Sequence, residues 1–219
     1  MLTQTEENYL KAIFKINEHS PEQVSTNAIA NIVQTSAASV TDMIKKLSAK
    51  DLLHYEPYKG VRLSSQGARI ATELVRKHRL WETFLVTKLG FSWEEVHDIA
   101  EQLEHVQSDM LVDKLNKYLR FPKYDPHGDP IPNAEGRFTL REQLLLSRAT
   151  VETKVILVGV KNNQKDFLKH LNKLNIYLGC EIHILSKEEY DASLSVSIDQ
   201  SGPITLSNQI ASNLFIKNS

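Results

Sequence analysis

The chain has 219 residues, of which 41% are hydrophobic and 24% are charged, as in an ordinary globular protein. Its one cysteine, Cys180, excludes an internal disulfide framework and favours a reducing compartment. No apolar run approaches the length that crosses a bilayer, and the first residues lack the basic start and apolar stretch of a signal peptide. We therefore expect a cytoplasmic protein without a membrane partner.

The net charge of −1 is unevenly distributed along the chain. Residues 1–80 hold 11 basic and 8 acidic side chains, for +3, and residues 81–136 hold 5 and 11, for −6. Residues 137–219 hold 10 and 8, for +2. An acidic middle segment suits cation binding, whereas a mildly basic first segment suits a partner that carries phosphates.

The first part of the chain has the pattern of a winged helix-turn-helix. A capping box, Thr3-x-x-Glu6, predicts the start of a first helix. Residues 25–33 predict a second helix, and the short polar turn 34–36 leads into a third. Residues 52–63 contain a strand, a turn with glycine and a second strand, which predicts a hairpin directly after the third helix.

The third helix is the candidate DNA-reading helix. Small and hydroxyl-bearing residues at its start allow a close approach to a groove, and the lysines beyond them suit phosphates. Basic residues on the hairpin suit a flanking phosphate or the minor groove. The alternative is a solvated helix that binds a protein partner, and the residue types favour DNA. The predicted DNA-contacting residues are Ser36, Ala37, Ala38, Ser39, Thr41, Asp42, Lys46, Lys59 and Arg62.

The next segment predicts three helices. A long helix begins at residues 64–65 and ends at Gly90. A second capping box, Ser92-x-x-Glu95, opens a helix through residues 97–105. A third helix follows residue 108 and is stopped by a proline at position 122.

Acidic and imidazole side chains share a face on each of the first two of these helices. The residues are His78 and Glu82 on the first, and His97, Glu101, Glu104 and His105 on the second. The four on the second helix fall within about 100° of arc, since each residue advances the helix by about 100°. Such a composition is typical of a transition-metal site, and the alternative is an ordinary solvated helix face.

The carboxy-terminal part changes in pattern. Residues 122–136 hold 4 of the 7 prolines and 2 of the 8 glycines, which predicts a loop and a domain boundary. Several short strands and one short helix follow, and they suggest a small barrel or a curled sheet. The predicted strands are residues 155–160, 180–185, 194–198, 204–207 and 214–216, and the helix is residues 167–174.

Several stretches together resemble the diphtheria-toxin-repressor and manganese-transport-regulator family of metal-dependent repressors. They are Thr-Glu-Glu-Asn-Tyr-Leu (5–10), Arg-Lys-His-Arg-Leu (76–80), residues 96–105, Ser-Asp (108–109) and Asp-Pro-His-Gly-Asp-Pro-Ile-Pro (125–132). The resemblance covers nearly the whole chain and implies a mainly α protein with a small β domain. The implied parts are a winged helix-turn-helix domain (1–73), a helical dimerisation and metal-binding domain (74–136), a linker (137–150) and an SH3-like barrel (151–219).

The resemblance also implies two metal sites per subunit. In one, the ligands would be Asn8, Glu101, Glu104 and His105. In the other they would be His78, Glu82 and His97, and Asp166 is a candidate ligand from the barrel. The remaining histidines, among them His127, are interpreted as structural.

Three positions of the implied sites bear on the choice of ion. Glu101 stands where some members carry a sulfur ligand, and its oxygen favours Mn(II) over Fe(II) without excluding the latter. Asn8 stands where members carry Asp or Met, so this chain has no negative charge there. Lys11 stands where the binuclear manganese regulators place a glutamate, so a two-metal cluster of that kind is not expected.

The resulting expectation is a homodimeric repressor of metal-uptake genes, with Mn(II) or Fe(II) as corepressor. It would bind double-stranded operator DNA as one dimer or as two. We expect no enzymatic activity, because no residue of the sequence stands out as a nucleophile and no phosphate-binding loop is present. Two alternatives stay open: a carboxylate–histidine hydrolase, and a winged-helix regulator whose signal is an organic ligand.

Overall fold

The structure is a computed structural model, and it describes residues 2–19, 23–56 and 59–218. The chain forms two compact units. The first consists of Met1–His78, Glu101–Val112 and Pro132–Phe138, and the second of Arg79–Ala100, Asp113–Ile131 and Thr139–Ser219. None of the described helices has the length and apolarity that would let it cross a lipid bilayer.

The first unit begins with the predicted helix-turn-helix and hairpin. Its elements are α1 (Gln4–His19), α2 (Thr26–Val33), α3 (Ala37–Ser48), β1 (Leu53–Glu56) and β2 (Gly60–Leu63). Ser25 and Ser36 cap α2 and α3, because their hydroxyl oxygens accept the backbone N–H groups of Ala28 and Ser39. The strands pair antiparallel, as predicted for the wing. Two residues of the predicted hairpin turn, 57 and 58, lie outside the described residues.

An apolar core fixes α3 against its neighbours. Wholly buried side chains come from all three helices, and they include Leu10, Ile13, Ile29, Ile44 and Leu47. Burying each such side chain contributes about 1.5 to 3 kcal/mol, so the core fixes which face of α3 is turned to solvent. The exposed face begins with residues 36–39.

Glu6 links the start of α1 to the end of α3. Its Oε2 accepts the backbone N–H of Thr3, which completes the predicted capping box. Its Oε1 lies 2.6 Å from Nζ of Lys50 and 3.1 Å from Nζ of Lys46, while its own side chain is wholly buried. The hydrogen bond with Lys50, followed by that with Thr3, lowers the pKa of Glu6 to about 2.

We predict that Glu6→Gln destabilises the first unit by about 1 to 2 kcal/mol, since water partly screens the exposed Lys46 and Lys50. The pKa of Glu6 is depressed from 4.5, so this stabilisation is present above about pH 4.5 and is lost as the pH falls towards 2. Urea unfolding at several pH values measures it. Glu56→Gln is the control, because the Glu56–Lys59 pair is exposed and should contribute little. An equal loss of unfolding free energy in both variants would contradict the prediction.

Three further helices carry the predicted metal ligands. They are α4 (Ser65–Leu89), α5 (Val96–Leu103) and α6 (Asp109–Tyr118). α5 ends two residues earlier than predicted, because the chain turns there and Val106 N donates to Leu103 O. Glu104 and His105 therefore lie in a turn. The prediction that they continue the helical face of His97 and Glu101 is wrong.

The carboxy-terminal residues form an antiparallel six-stranded sheet with short helices between its strands. Its elements are β3 (Leu144–Leu145), a 3₁₀ helix (Leu146–Arg148), β4 (Lys154–Val160), α7 (Lys165–Lys173), β5 (Glu181–Lys187), β6 (Leu194–Ile198), β7 (Ile204–Leu206), α8 (Asn208–Ala211) and β8 (Leu214–Asn218). The strand order in the sheet is β3-β8-β4-β5-β6-β7. The predicted fold class is confirmed, although the described strands form an open sheet instead of a closed barrel. The predicted linker contributes to this sheet, since β3 pairs with β8 and Leu146 is wholly buried.

Candidate metal centre

The first unit contains a largely buried cluster of acidic, basic and imidazole side chains, which we call the Glu104 cluster. It consists of Glu7, Lys11, His78, Glu101, Glu104 and His105. Two of its members lie on α1, and three lie in the last turn of α5 or in the turn that follows it. The cluster therefore connects α1 to the segment that was predicted to bind metal.

Glu104 is the centre of this cluster. Its carboxylate is wholly buried and accepts hydrogen bonds at both oxygens from Nζ of Lys11, each at 2.7 Å. Nδ1 of His78 lies 2.5 Å from its Oε2. Burial alone would raise the pKa of Glu104, but the contacts with His78 and Lys11 outweigh it and lower that pKa. The carboxylate is thus held in its charged form, the form that binds a metal ion.

A second contact joins α1 to the turn after α5. Nδ1 of His105 lies 2.6 Å from Oε2 of Glu7, and Gln107 donates to the other Glu7 oxygen at 3.0 Å. The predicted ligand Asn8 is exposed instead. The sequence carries a signal for this contact surface, because Glu7 and Lys11 are four residues apart and share one face of α1.

The second unit holds another group of possible ligands, which we call the Glu82 group. One ligand atom each from Glu82, Asp125 and His127 lie within 4.8 Å of one another, and all three residues are buried. Nδ1 of His97 lies 3.3 Å from Oε1 of Glu82, two residues that the resemblance placed in one site. Asp125 and His127 come from the proline-rich loop, where the sequence analysis interpreted His127 as structural.

Hydrogen bonds orient the ligand atoms of this group. Nε2 of His127 lies 2.8 Å from the carbonyl oxygen of Trp93, so it donates there and leaves Nδ1 directed towards Glu82, at 3.6 Å. Oδ1 of Asp125 accepts the backbone N–H groups of His127 and Asp129. An imidazole that is fixed through its other nitrogen is typical of metal-binding histidines. The residues present therefore fit a divalent cation.

The electrostatics of the Glu82 group agree with that fit. Burial, followed by the charges of Asp129 and Glu82, raises the pKa of Asp125 well above its ordinary value. Burial disfavours the charged form of His127, but its contact with Glu82 and the charges of Glu82 and Asp125 raise its pKa to about 9. A divalent ion bound here would offset the mutual repulsion of these crowded carboxylates.

The loop that supplies these ligands lies directly against β4. Val160 N donates to the carbonyl oxygen of His127 at 2.9 Å, and Arg141 donates to the carbonyl oxygens of Gly128 and Val158. Gly128 has a φ of +89°, and a Cβ there would overlap Val158 O and the Cα of Gly159. Only glycine permits so close an approach of two backbones.

We predict that Gly128→Ala destabilises the second unit by at least about 2 kcal/mol more than Gly179→Ala does. Gly179 is a matched control, because its φ is +94° but a Cβ there meets nothing within 4 Å. Both variants thus carry the backbone strain, and only the first must also separate the loop from β4. Urea unfolding compares them, and equal free energies of unfolding would show that the close approach does not stabilise the loop.

The remaining predicted ligands are placed as follows. His78 precedes Glu82 by one turn of α4. Glu101 has a half-exposed side chain 3.3 Å from Nζ of Lys11. Asp166 is exposed in the first turn of α7, and it is not among the ligand atoms grouped with Glu82 in the described part of the chain. Its role as a ligand stays a prediction.

The predicted DNA-contacting side chains lie mostly on the surface of the first unit. Ser36 to Ser39, Asp42, Lys46, Lys59 and Arg62 are exposed, and Thr41 is half-buried. Some already have partners within the protein. Ser36 caps α3, Thr41 donates to the carbonyl oxygen of Ala37, and Lys46 contacts Glu6. Ser39 shares a hydroxyl contact with Ser36 at 2.9 Å at the exposed start of the helix.

Three family models divide the chain among them. Residues 1–61 match the N-terminal DNA binding domain of the iron dependent repressor, and residues 64–133 match its metal binding and dimerisation domain. Residues 144–218 match the FeoA domain. The fold and the buried clusters thus occur in a three-part protein of the iron-dependent repressor class.

Curated relatives and solved structures agree with these models. The chain is 34% identical over 134 residues to the diphtheria toxin repressor of Corynebacterium jeikeium (strain K411), which is 61% of this chain and 55% of that protein. It is 34% identical over 131 residues to the iron-dependent repressor IdeR of Mycobacterium tuberculosis (strain ATCC 25618 / H37Rv). Those residues are 60% of this chain and 56% of that protein. The chain therefore matches about half the length of these curated relatives.

Two solved structures match over nearly their whole length. A manganese-dependent transcriptional repressor in complex with manganese has a TM-score of 0.84 and 33% identity, over 98% of this chain and 100% of that one. ScaR with bound Cd²⁺ has a TM-score of 0.75 and 34% identity, over 98% of this chain and 99% of that one. The chain belongs to the diphtheria-toxin-repressor and manganese-transport-regulator family of metal-dependent transcriptional repressors, as the sequence predicted.

Proposed function

We propose that this protein is a cytoplasmic, homodimeric repressor of metal-uptake genes that binds operator DNA when Mn(II) or Fe(II) is bound. Two ion sites per subunit are part of the proposal, one at the Glu104 cluster and one around Glu82. We propose no catalytic activity. We also propose that each operator binds one dimer, or two dimers where it is long enough to hold both.

The observation that carries the proposal is the connection between α1 and the Glu104 cluster. Glu7 and Lys11 belong to α1, the first helix of the DNA-binding head, and they contact His105 and Glu104 directly. A cation bound among these side chains would add a bond between the head and the turn after α5. It would thereby favour one position of the head over others, which is the requirement for a corepressor.

The Glu82 group supports a second site. It would hold an ion through Glu82, Asp125 and His127, with His97 beside Glu82 and His78 one turn earlier on α4. Carboxylate and imidazole ligands suit both Mn(II) and Fe(II), and no thiolate is present in this set to favour a softer ion. When bound, the ion would neutralise the buried carboxylates and cross-link the proline-rich loop to the helices.

The test of the function is DNA binding as a function of ion concentration. The probe is a duplex selected from a random-sequence library with the wild-type chain and Mn²⁺. We expect anisotropy titrations to show binding that Mn²⁺ or anaerobic Fe²⁺ restores and a chelator abolishes. Equal affinity in chelator and in saturating ion would contradict the proposed function.

Asp125→Asn should raise the Mn²⁺ midpoint of that titration about tenfold or more, because it removes a buried ligand charge. The variant keeps Oδ1 as an acceptor for the two backbone N–H groups, so the loop is expected to stay in place. Glu142→Gln is the control, since it removes an exposed carboxylate of the same unit that lies outside the Glu82 group. A midpoint that moves equally in both variants would remove Asp125 from the proposed ligands.

The DNA-reading role of α3 has its own test. Lys46→Ala should weaken binding to the selected duplex and to random DNA by a similar factor, and should flatten the salt dependence by about one unit. Ser39→Ala should change sequence preference instead, because Ser39 lies at the exposed start of the helix. Lys169→Ala, which removes the same charge from α7, should change neither the affinity for DNA nor the sequence preference. Identical effects of Ser39→Ala and Lys46→Ala would argue against α3 as the reading helix.

A further inference from the structure

Lys11 occupies an unusual position for a lysine. Its side chain is only 6% exposed, and its ammonium lies 2.7 Å from both oxygens of the wholly buried Glu104. The same ammonium lies 3.3 Å from Oε1 of Glu101. It therefore takes the bridging position between two carboxylates that a metal ion would take if it used both as ligands.

The charges of the cluster limit what else it can hold. Glu7, Glu101 and Glu104 carry three negative charges, and Lys11 returns one positive charge. With neutral imidazoles, two negative charges remain, which one divalent ion would balance. Among the described residues, no three ligand atoms of this cluster lie within 4.8 Å of one another, whereas those of the Glu82 group do.

We propose that Lys11 is the resident cation of the Glu104 cluster: it holds Glu104 in place without metal, and it must move aside when a divalent ion binds. Two cations on one carboxylate repel each other strongly in a buried setting. Lys11 thus sets the ion concentration at which the cluster fills, and it limits the cluster to one ion. The proposal rests on the proposed function in one respect, since it takes the Glu104 cluster as an ion site.

The test compares the full chain with its Lys11→Met variant, which keeps the apolar stem and removes the charge. Both are made in the Asp125→Asn background, so that the Glu82 group contributes little to the binding isotherm. Calorimetric titration with Mn²⁺ measures affinity and stoichiometry, and thermal unfolding in chelator measures the metal-free stability.

Lys11→Met should bind Mn²⁺ about tenfold or more tightly at this cluster, because the competing charge is gone. It should also unfold about 5 to 10 °C lower in chelator, because Glu104 is left buried without its main partner, and Mn²⁺ should recover that loss. Unchanged or weaker Mn²⁺ affinity in the folded variant would overturn the proposal.

Lys50→Met is the matched control, since Lys50 likewise pairs with a buried carboxylate, that of Glu6, at 2.6 Å. It should lose stability in chelator, keep the Mn²⁺ affinity of its parent and gain no extra stability from Mn²⁺. A tightening of Mn²⁺ binding in Lys50→Met equal to that in Lys11→Met would overturn the proposal. Any loss of stability in the first unit would then be enough to tighten Mn²⁺ binding.

If Lys11→Met does not fold with or without Mn²⁺, a second comparison decides. Glu104→Gln retains Lys11 beside Glu101, and Lys11→Met/Glu104→Gln removes both charges and leaves no buried ion unpaired. The double variant should bind Mn²⁺ more tightly than Glu104→Gln, and equal affinities would overturn the proposal. Failure of the proposed function looks different, because wild-type operator binding would then ignore ions altogether.

Discussion

The buried carboxylate of Glu104 is the constraint on which the first unit depends. A charge removed from water needs partners, and here they come from two separate helices, Lys11 of α1 and His78 of α4. These contacts hold the turn after α5 against the DNA-binding head. Since the same carboxylate is a predicted ion ligand, one group both stabilises the unit and responds to the ion.

The two clusters solve the problem of buried charge differently. The Glu104 cluster contains its own ammonium, which compensates one of its three carboxylates before any ion arrives. In the Glu82 group the crowding of carboxylates raises the pKa of Asp125, and contact with Glu82 raises the pKa of His127. An ion that bound at both groups would displace a lysine from one and relieve carboxylate repulsion in the other, and we expect the two proposed sites to differ in affinity for that reason.

Helical and strand periodicity predicted most of the fold, because apolar spacing and caps such as Ser25 and Ser36 are local signals. The ligand pairs fared less well. Glu82 and His97 meet as the resemblance implied, but Glu7 replaces Asn8 beside His105, and His127 joins Glu82 from a distant loop. Such contacts depend on how the turn after α5 and the proline-rich loop fold back, which no local pattern encodes.

The loop with Asp125 and His127 is attached to β4 chiefly through backbone atoms, with Gly128 and Gly159 at the point of contact. A junction of this kind is indifferent to most side chains of the strand. The sheet domain can therefore accept many surface substitutions without displacing the ligands, and its outer face is free to acquire new partners. For protein engineering, this makes the sheet domain a suitable place to attach a fluorophore that reports on the ion.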